Sequence, residues 1–213
     1  MIYFNTKEIN ALEHLYKINL INSCAGYKSA NLIATKSIEN TTNVAIFSSI
    51  THIGSSPPML GFFLRPTTVL RNTYENIMET GYFTINETGY FTINHIHEKI
   101  LKEAHHTSAK YDKNISEFDV TDLETEYKDH FYAPFVKDCP IQLALKYVEE
   151  YDIKSNNTKL VIGEIQGLYI KENLLEEDGF INLSKGAIAA INGLDGYAIP
   201  DLKQRFEYQR PII

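Results

Sequence analysis

Two extended apolar runs on either side of a polar, turn-rich segment dominate the hydrophobic pattern of this chain. Val44 and Ile46 alternate with their neighbours as the residues of a strand do, and residues 59–63, MLGFF, predict a second, buried strand. Between them Gly54, followed by Pro57 and Pro58, breaks the pattern, because Gly frees the backbone and Pro removes donors. The segment therefore gathers hydroxyls and free backbone N–H groups at one end of a sheet, which suits a phosphate.

The remaining pattern predicts further strands and a few short helices. Strands are expected at 18–21 (the opening of the first strand), 27–35, 141–151 and 159–170. Helices are expected near 8–16, from Thr67 or Thr68 to Gly81, over 95–106 and near 122–126. Gly163 and Gly167 indicate a bulge or a close backbone approach within the last strand. Short strands with turn signals and few helices predict a mostly β barrel with helical decoration.

The octapeptide ETGYFTIN at 79–86 is repeated without change at 87–94. An eight-residue unit keeps the same faces inward along a continued strand, so the two copies compete for one pairing register. A recent duplication or a sequence error explains this repeat better than a functional role, since two copies fall far short of a repeat architecture. We expect the spare copy to extend the strand, because Asn86-Glu87 lacks the glycine of a tight hairpin turn.

Length and charge narrow the class of protein. The 213 residues, 44% of them hydrophobic, can fill a core, and no run approaches the ~20 apolar residues of a membrane helix. Met1-Ile2-Tyr3 lacks the start of a signal peptide, so a cytoplasmic protein is expected. The net charge of −7 argues against nucleic acid as a partner. Cys24 and Cys139 fit no metal spacing and are expected to be buried thiols.

Standard catalytic motifs are missing from the sequence. It contains no H-E-x-x-H, no paired cysteines, no G-x-S-x-G and no G-x-G-x-x-G, which argues against zinc hydrolases, serine hydrolases and a Rossmann nicotinamide site. His95 and His97 do not share a helix face, so no metal is expected there. The other histidines considered as proton donors or ring contacts are His52, His105 and His106, and His52 is kept as a weak catalytic candidate.

Several segments in serial order resemble the flavin reductase-like family, whose members are FMN-binding split barrels. The resembling segments, within roughly residues 20–210, are NVAIFSS and SSPPMLGF between 43 and 62, Arg71-Asn72-Thr73 with Asn76-Ile77, TGYFTIN at 80–86, and Gly163-Glu164-Ile165. The resemblance implies a mostly β split barrel with a few peripheral helices, and a homodimer with flavin at its interface. We expect a single domain over 1–213, with its core at about 20–190 and a tail at 193–213 that wraps the partner subunit. One octapeptide copy is expected in the family's strand position next to residues 59–63.

The resemblance also assigns candidate site residues. Those matching the motif that lines the isoalloxazine and ribityl chain of FMN are Asn43, Ala45, Phe47, Ser48 and Ser49. The family often has Pro where this chain has Ile46. The hydroxyl-rich segment adds Thr51, Ser55 and Ser56 as flavin contacts, and the phosphate contacts are expected from Arg65, Arg71 and Thr73.

The implied activity is that of an FMN-dependent oxidoreductase. NADH or NADPH would donate electrons through bound FMN to a flavin, a metal chelate or a protein acceptor. The flavin carries the chemistry, so no acid–base dyad is needed. The alternative is a non-enzymatic protein of the same fold, either a flavoredoxin-like electron carrier or another flavin or haem binder.

Overall fold

A computed structural model describes residues 1–79 and 89–211. The α-helices among these residues are α1 (Thr6–Ala11), α2 (His14–Cys24), α3 (Asn72–Met78) and α4 (Leu101–His106). The strands are β1 (Lys28–Ser29), β2 (Asn31–Lys36), β3 (Thr42–Phe47), β4 (Thr51–Ser55), β5 (Pro58–Leu64), β6 (Tyr90–His95), β7 (Thr125–Glu126), β8 (Phe135–Val136), β9 (Ile141–Ile153), β10 (Thr158–Ile170), β11 (Ala190–Asn192) and β12 (Gly196–Ala198). Single 3₁₀ turns occupy Glu98–Ile100, Glu117–Asp119, Glu172–Leu174 and Leu183–Gly186.

A seven-stranded antiparallel sheet in the order β3-β2-β6-β9-β10-β5-β4 forms the body of the protein. Its two edge strands, β3 and β4, are joined only by residues 48–50, which brings the edges of the sheet close together. Ser49 accepts a hydrogen bond from Phe63 N and donates one to Phe63 O, at 3.1 and 3.0 Å. The fold is thus the expected mostly β split barrel, with the split at these edges.

Strand β2 is buried on both faces and separates two apolar clusters. Ile33 packs inside the barrel with Phe62 and Phe91. On the opposite face Leu32 belongs to a second cluster with Val44, which α4, part of the 118–139 segment and β11 cover. A strand covered on both sides reads as a continuous apolar run, which explains Leu32, Ile33 and Ala34 in the sequence.

Several predicted elements were wrong in type or extent. Residues 18–21 continue α2 instead of opening a strand. The polar, turn-rich segment between the first two predicted strands is largely strand β4. It forms an edge hairpin with β5, and the tight turn of this hairpin holds the cis peptide Ser56-Pro57. His95 ends β6 and α4 begins only at Leu101, so the helix expected over 95–106 is shorter. Near 122–126 the structure has strand β7 instead of a helix.

The second octapeptide copy supplies strand β6, which pairs with β2 on one side and β9 on the other. The expectation that a copy lies next to residues 59–63 was wrong, because β5 pairs with β4 and β10. The rings of Phe91 and Phe62 still meet edge to face inside the barrel, with centroids 5.6 Å apart. The predicted extension by the spare copy concerns residues 80–88, which lie outside the described residues.

Candidate functional site

Two buried side-chain hydrogen bonds fix α3 against the edge of the barrel. Asn43 Nδ2 of β3 donates to Thr73 Oγ1 at 3.0 Å, and Asn76 Nδ2 donates to Thr35 Oγ1 of β2 at 3.0 Å. All four residues are almost fully shielded from solvent. An unpaired polar group at such a position costs about 1–3 kcal/mol, so these pairs determine where α3 lies.

The candidate flavin residues of β3 share one face of the strand. Side chains alternate along a strand, which places Asn43, Ala45 and Phe47 together and turns Val44 to the opposite face. The Phe47 ring meets Phe62 of β5 edge to face, with centroids 5.2 Å apart. This face therefore runs from the Asn43 amide, beside α3, to an aromatic pair at the split of the barrel.

Arg71 stands immediately before α3, two residues ahead of Thr73, whose hydroxyl contacts Asn43 of β3. Its Nε is buried and has no hydrogen-bond partner among the described residues. A buried guanidinium N–H without an acceptor is suited to an anionic oxygen, because Arg forms forked, charge-assisted bonds with phosphate. The structure thus fits the predicted role of Arg71, whereas Arg65 is exposed.

The hydroxyl groups expected at the site fall into two separate groups. Ser48 and Ser49 are half-buried at the end of β3, and Ser49 is held by the backbone of Phe63. Pro58, which pairs with Ser55, lies five residues along β5 from Phe63, or roughly 17 Å at the rise of a β-strand. Ser55 is exposed at this distant turn, so it is not brought together with Ser49.

The remaining candidates on β4 lie on or near the exposed edge of the sheet. Thr51 is half-buried and pairs with Gly61, and Ser56 is exposed at the hairpin turn. His52 is exposed, and its Nε2 lies 3.1 Å from Ser55 Oγ. The contacts of these residues are local to the hairpin, so the described structure gives His52 no partner that would make it a catalytic acid.

Two polar side chains, Asn31 and His95, lie beside Phe47 at the end of β3, and the sequence pattern did not indicate them. Asn31 of β2 pairs with Phe47 on one side and with His95 on the other, so the three side chains share a face. Asn31 Oδ1 and His95 Nδ1 are buried without partners among the described residues. Burial lowers the pKa of His95 from 6.5 to about 4, which keeps its imidazole neutral. Because His95 was expected in a helix, its position beside Asn31 was not predicted. The alternation along β2 does put Asn31 on the same face as Ile33.

A buried carboxylate protects the free edge of β3. Glu117 accepts a hydrogen bond from Val44 N at 3.0 Å, and Thr42 Oγ1 lies 2.8 Å from Ser116 Oγ. Burial raises the pKa of Glu117, although its bond from Val44 opposes the shift. The 3₁₀ turn at Glu117–Asp119 therefore covers backbone groups that would otherwise be exposed at a sheet edge.

Concave surface elsewhere does not coincide with the candidate site. A cavity of about 350 Å³ lies between α4 and the 119–122 segment, and one of about 200 Å³ lies beside Tyr169 and Cys139. Within 1–79 and 89–211, no cluster of His, Cys, Asp or Glu is suited to a metal ion, and no helix is long and apolar enough to cross a membrane. Cys139 is buried as expected. The expectation for Cys24 was wrong, since it ends α2, a helix without buried residues, and is exposed.

Comparison with protein families matches residues 27–187 to the flavin reductase like domain. This match covers most of the chain, and the chain belongs to the flavin reductase-like family. A search of curated proteins finds no match.

Solved structures agree with this assignment. A split barrel protein from Shewanella frigidimarina NCIMB 400, assigned as a flavin reductase, is 42% identical with a TM-score of 0.91, over 98% of this chain and 100% of that one. Nitrilotriacetate monooxygenase component B from Bacillus cereus shares the fold at 19% identity, with a TM-score of 0.78 over 98% of each chain. Flavoredoxin from Desulfovibrio vulgaris (Miyazaki F) does so at 21% identity, with a TM-score of 0.71 over 86% of this chain and 92% of that one.

Proposed function

We propose that this protein is an FMN-dependent oxidoreductase of the flavin reductase type. NADH or NADPH donates electrons, and the acceptor is a flavin, a metal chelate or a protein. The observation that carries the proposal is the buried, unpartnered Arg71 Nε beside the Asn43–Thr73 pair, within a chain of the flavin reductase-like family. The Arg71 guanidinium supplies a donor for the phosphate of FMN that no described residue satisfies.

The residues present divide naturally between the two ends of FMN. Arg71 would bind the phosphate, with Arg65 as a second, exposed cation nearby in sequence. The face of Asn43, Ala45 and Phe47 would lie along the ribityl chain and ring. Thr73 accepts from Asn43, which leaves its own O–H free to donate to the phosphate beside Arg71. The bound flavin would supply the transfer of hydride or electrons, and the protein would orient it.

Two further parts of the proposal concern the electron partners. With no Rossmann fingerprint in the sequence, a nicotinamide would be held against the flavin ring and not in a separate dinucleotide-binding domain. Two related structures are named as a monooxygenase component and a flavoredoxin, and both names are compatible with transfer to a second flavin or protein. We therefore propose either a small molecule or a protein as the electron acceptor.

A homodimer belongs to the same proposal. The candidate face lies at the split of the barrel, and both described cavities are elsewhere. A second chain placed against the split would cover the flavin and exclude water from it. A two-fold dimer satisfies this requirement at both sites with one isologous interface.

Steady-state oxidation of NADH and NADPH tests the activity. The purified protein is assayed with and without added FMN, with free flavin, ferric chelate and cytochrome-type protein acceptors compared in parallel. We expect turnover that depends on FMN and on the protein. Bound yellow flavin without turnover by either nucleotide would contradict the reductase assignment and favour an electron carrier.

A further inference from the structure

Helix α3 carries Arg71 at its start, and neither a cap nor the preceding loop fixes that start. Among the described residues, no side chain caps the helix at Arg71. The loop before it exposes its apolar residues, with Val69 42% and Leu70 55% exposed. A helix of seven residues is too short to be stable alone in water. The position of Arg71 therefore depends on contacts that the first turn of α3 makes with the barrel.

Tyr74 supplies one of these contacts, on the side of α3 opposite to the contact made by Thr73. The Tyr74 hydroxyl donates to Glu150 Oε1 of β9, the middle strand of the sheet, at 3.0 Å. Thr73 accepts from Asn43 of β3, an edge strand. Asn43 lies near the start of β3 and Glu150 near the end of β9, which is the same end of the barrel because neighbouring strands are antiparallel. The first turn of α3 is thus held from two sides of that end.

A largely buried ion pair holds the Glu150 carboxylate in place. Lys159 Nζ of β10 donates to the same oxygen, Glu150 Oε1, at 2.8 Å, and lies 5.7 Å from the centre of the Tyr74 ring. The side chains of Lys159 and Glu150 are 17% and 21% exposed. Glu150 Oε2 is buried and has no partner among the described residues. The bonds from Tyr74 and Lys159 are therefore the ones that fix this carboxylate.

The protonation states keep the bond between Tyr74 and Glu150 intact at neutral pH. Burial and the hydrogen bond to Glu150 raise the pKa of the Tyr74 hydroxyl, so it remains a donor. Hydrogen bonds to Asp152 and Glu150 raise the pKa of Lys159, so it keeps its charge. A hydrogen bond to a carboxylate is stronger than one between neutral groups. Tyr74 therefore provides a strong link between α3 and the middle strand.

The first turn of α3 carries this placement to Arg71. Glu75 N donates to Arg71 O at 2.9 Å, which closes the turn directly after Tyr74. Residues three apart are neighbours on one side of a helix, so a shift of Tyr74 also shifts Arg71. Hydrogen bonds weaken steeply outside about 2.7–3.2 Å. A small movement of the turn would therefore remove the bond that the buried Arg71 Nε offers to a phosphate.

We propose that the Tyr74–Glu150 bond positions Arg71 for the phosphate of the cofactor. Tyr74 is a positioning residue, because its hydroxyl contacts Glu150 and not the ligand. The inference rests on the proposed FMN function and extends it to a bond outside the candidate site. It follows that loss of the Tyr74 hydroxyl weakens the binding of a flavin only when that flavin carries a phosphate.

Paired titrations with FMN and riboflavin test this role, because riboflavin is FMN without the phosphate. Tyr74→Phe keeps the ring and removes the hydroxyl, and Tyr147→Phe is the matched control. Both tyrosines pack against the same apolar cluster, but the Tyr147 hydroxyl has no hydrogen bond within residues 1–79 and 89–211. The dissociation constant of each flavin is measured by fluorescence for the parent protein and both variants.

Tyr74→Phe should raise the Kd of FMN by about 3- to 30-fold and leave the Kd of riboflavin within about twofold. Tyr147→Phe should leave both constants within about twofold. An equal loss for the two flavins in Tyr74→Phe would overturn the positioning role, since the hydroxyl would then act on the whole site. An equal loss of FMN binding in the two variants would overturn it as well.

A double-mutant cycle with Arg71→Ala gives an independent measurement. Once the Arg71 side chain is removed, its placement no longer matters, so adding Tyr74→Phe should change the Kd of FMN by less than about twofold. Losses that add in the double variant would overturn the proposal. A cooperative thermal transition, followed by circular dichroism, shows that each variant is folded.

This inference and the proposed function fail in different ways. A folded parent protein that takes up no FMN would contradict the FMN function and this inference together. A parent protein that binds FMN, with Tyr74→Phe binding both flavins as the parent does, would overturn the positioning role alone.

Discussion

Gly163 of β10 lies so close to Phe91 of β6 that a Cβ at Gly163 would stand 2.5 Å from Phe91 Cζ and 3.3 Å from Lys146 O. Phe91 is completely buried and also packs on Phe62, so its ring cannot move freely. The β9–β10 register shifts between Ile162 and Gly163, which produces this close approach. The bulge predicted at the glycines is thereby confirmed and has a packing role.

Gly163→Ala should destabilise the protein by about 1–3 kcal/mol, because the added methyl group overpacks the barrel interior. Gly167→Ala is the matched control on the same strand, where a Cβ would meet Ala144 Cβ at an ordinary 3.6 Å. Its free energy of unfolding should be unchanged or slightly higher, since Ala restricts the unfolded chain. Urea unfolding measures both. Equal losses in the two variants would show that the Phe91 contact is not responsible.

Deleting residues 87–94 should leave a folded protein that binds FMN, with stability the same or better. Deleting 79–86 gives the same polypeptide, because the copies are identical. The remaining copy retains Tyr, Phe and Ile to form β6, and Glu79 keeps its contacts with Ile38 N and Lys113. Thermal unfolding and FMN titration measure the outcome. A folded deletion variant that no longer binds flavin would make the repeat part of the site.

The free energy of unfolding should fall with pH between about 6.5 and 4 through His95. Its folded pKa is lowered to about 4 by burial, so in this window the unfolded state binds more protons. The stability is complete above pH 6.5 and is lost as pH falls, by about 3 kcal/mol for this shift. His95→Gln should remove that part of the slope in urea unfolding. Exposed His52→Gln is the control, and an unchanged slope in His95→Gln would refute the assignment.

Arg71→Ala should weaken FMN binding by about 1.5–3 kcal/mol, or roughly 10- to 150-fold in Kd, through loss of a charge-assisted bond. Arg65→Ala should have a smaller effect because Arg65 is exposed. Fluorescence titration of FMN compares the single variants and the double. If all three bind as tightly as the parent protein, the phosphate lies elsewhere.

The hydrophobic pattern predicted strand β3, whereas the candidate site residues on it came from the resemblance to the flavin reductase-like family. The structure places Asn43, Ala45 and Phe47 on one face of β3, and their contact with flavin stays a prediction. Strand β4 was missed because Gly54 and the two prolines mask an edge strand that needs only one partner. The Asn43–Thr73 bond joins residues 30 positions apart, and nothing in either local sequence indicates it.

Direct titration with FMN tests whether the protein binds this flavin. Freshly purified protein, stripped of any flavin by dialysis against denaturant and refolded, is titrated while flavin fluorescence and absorption are followed. We expect saturable binding of one FMN per chain, with the two flavin absorption bands retained on the protein after gel filtration. A folded protein that remains colourless and takes up no FMN would contradict it.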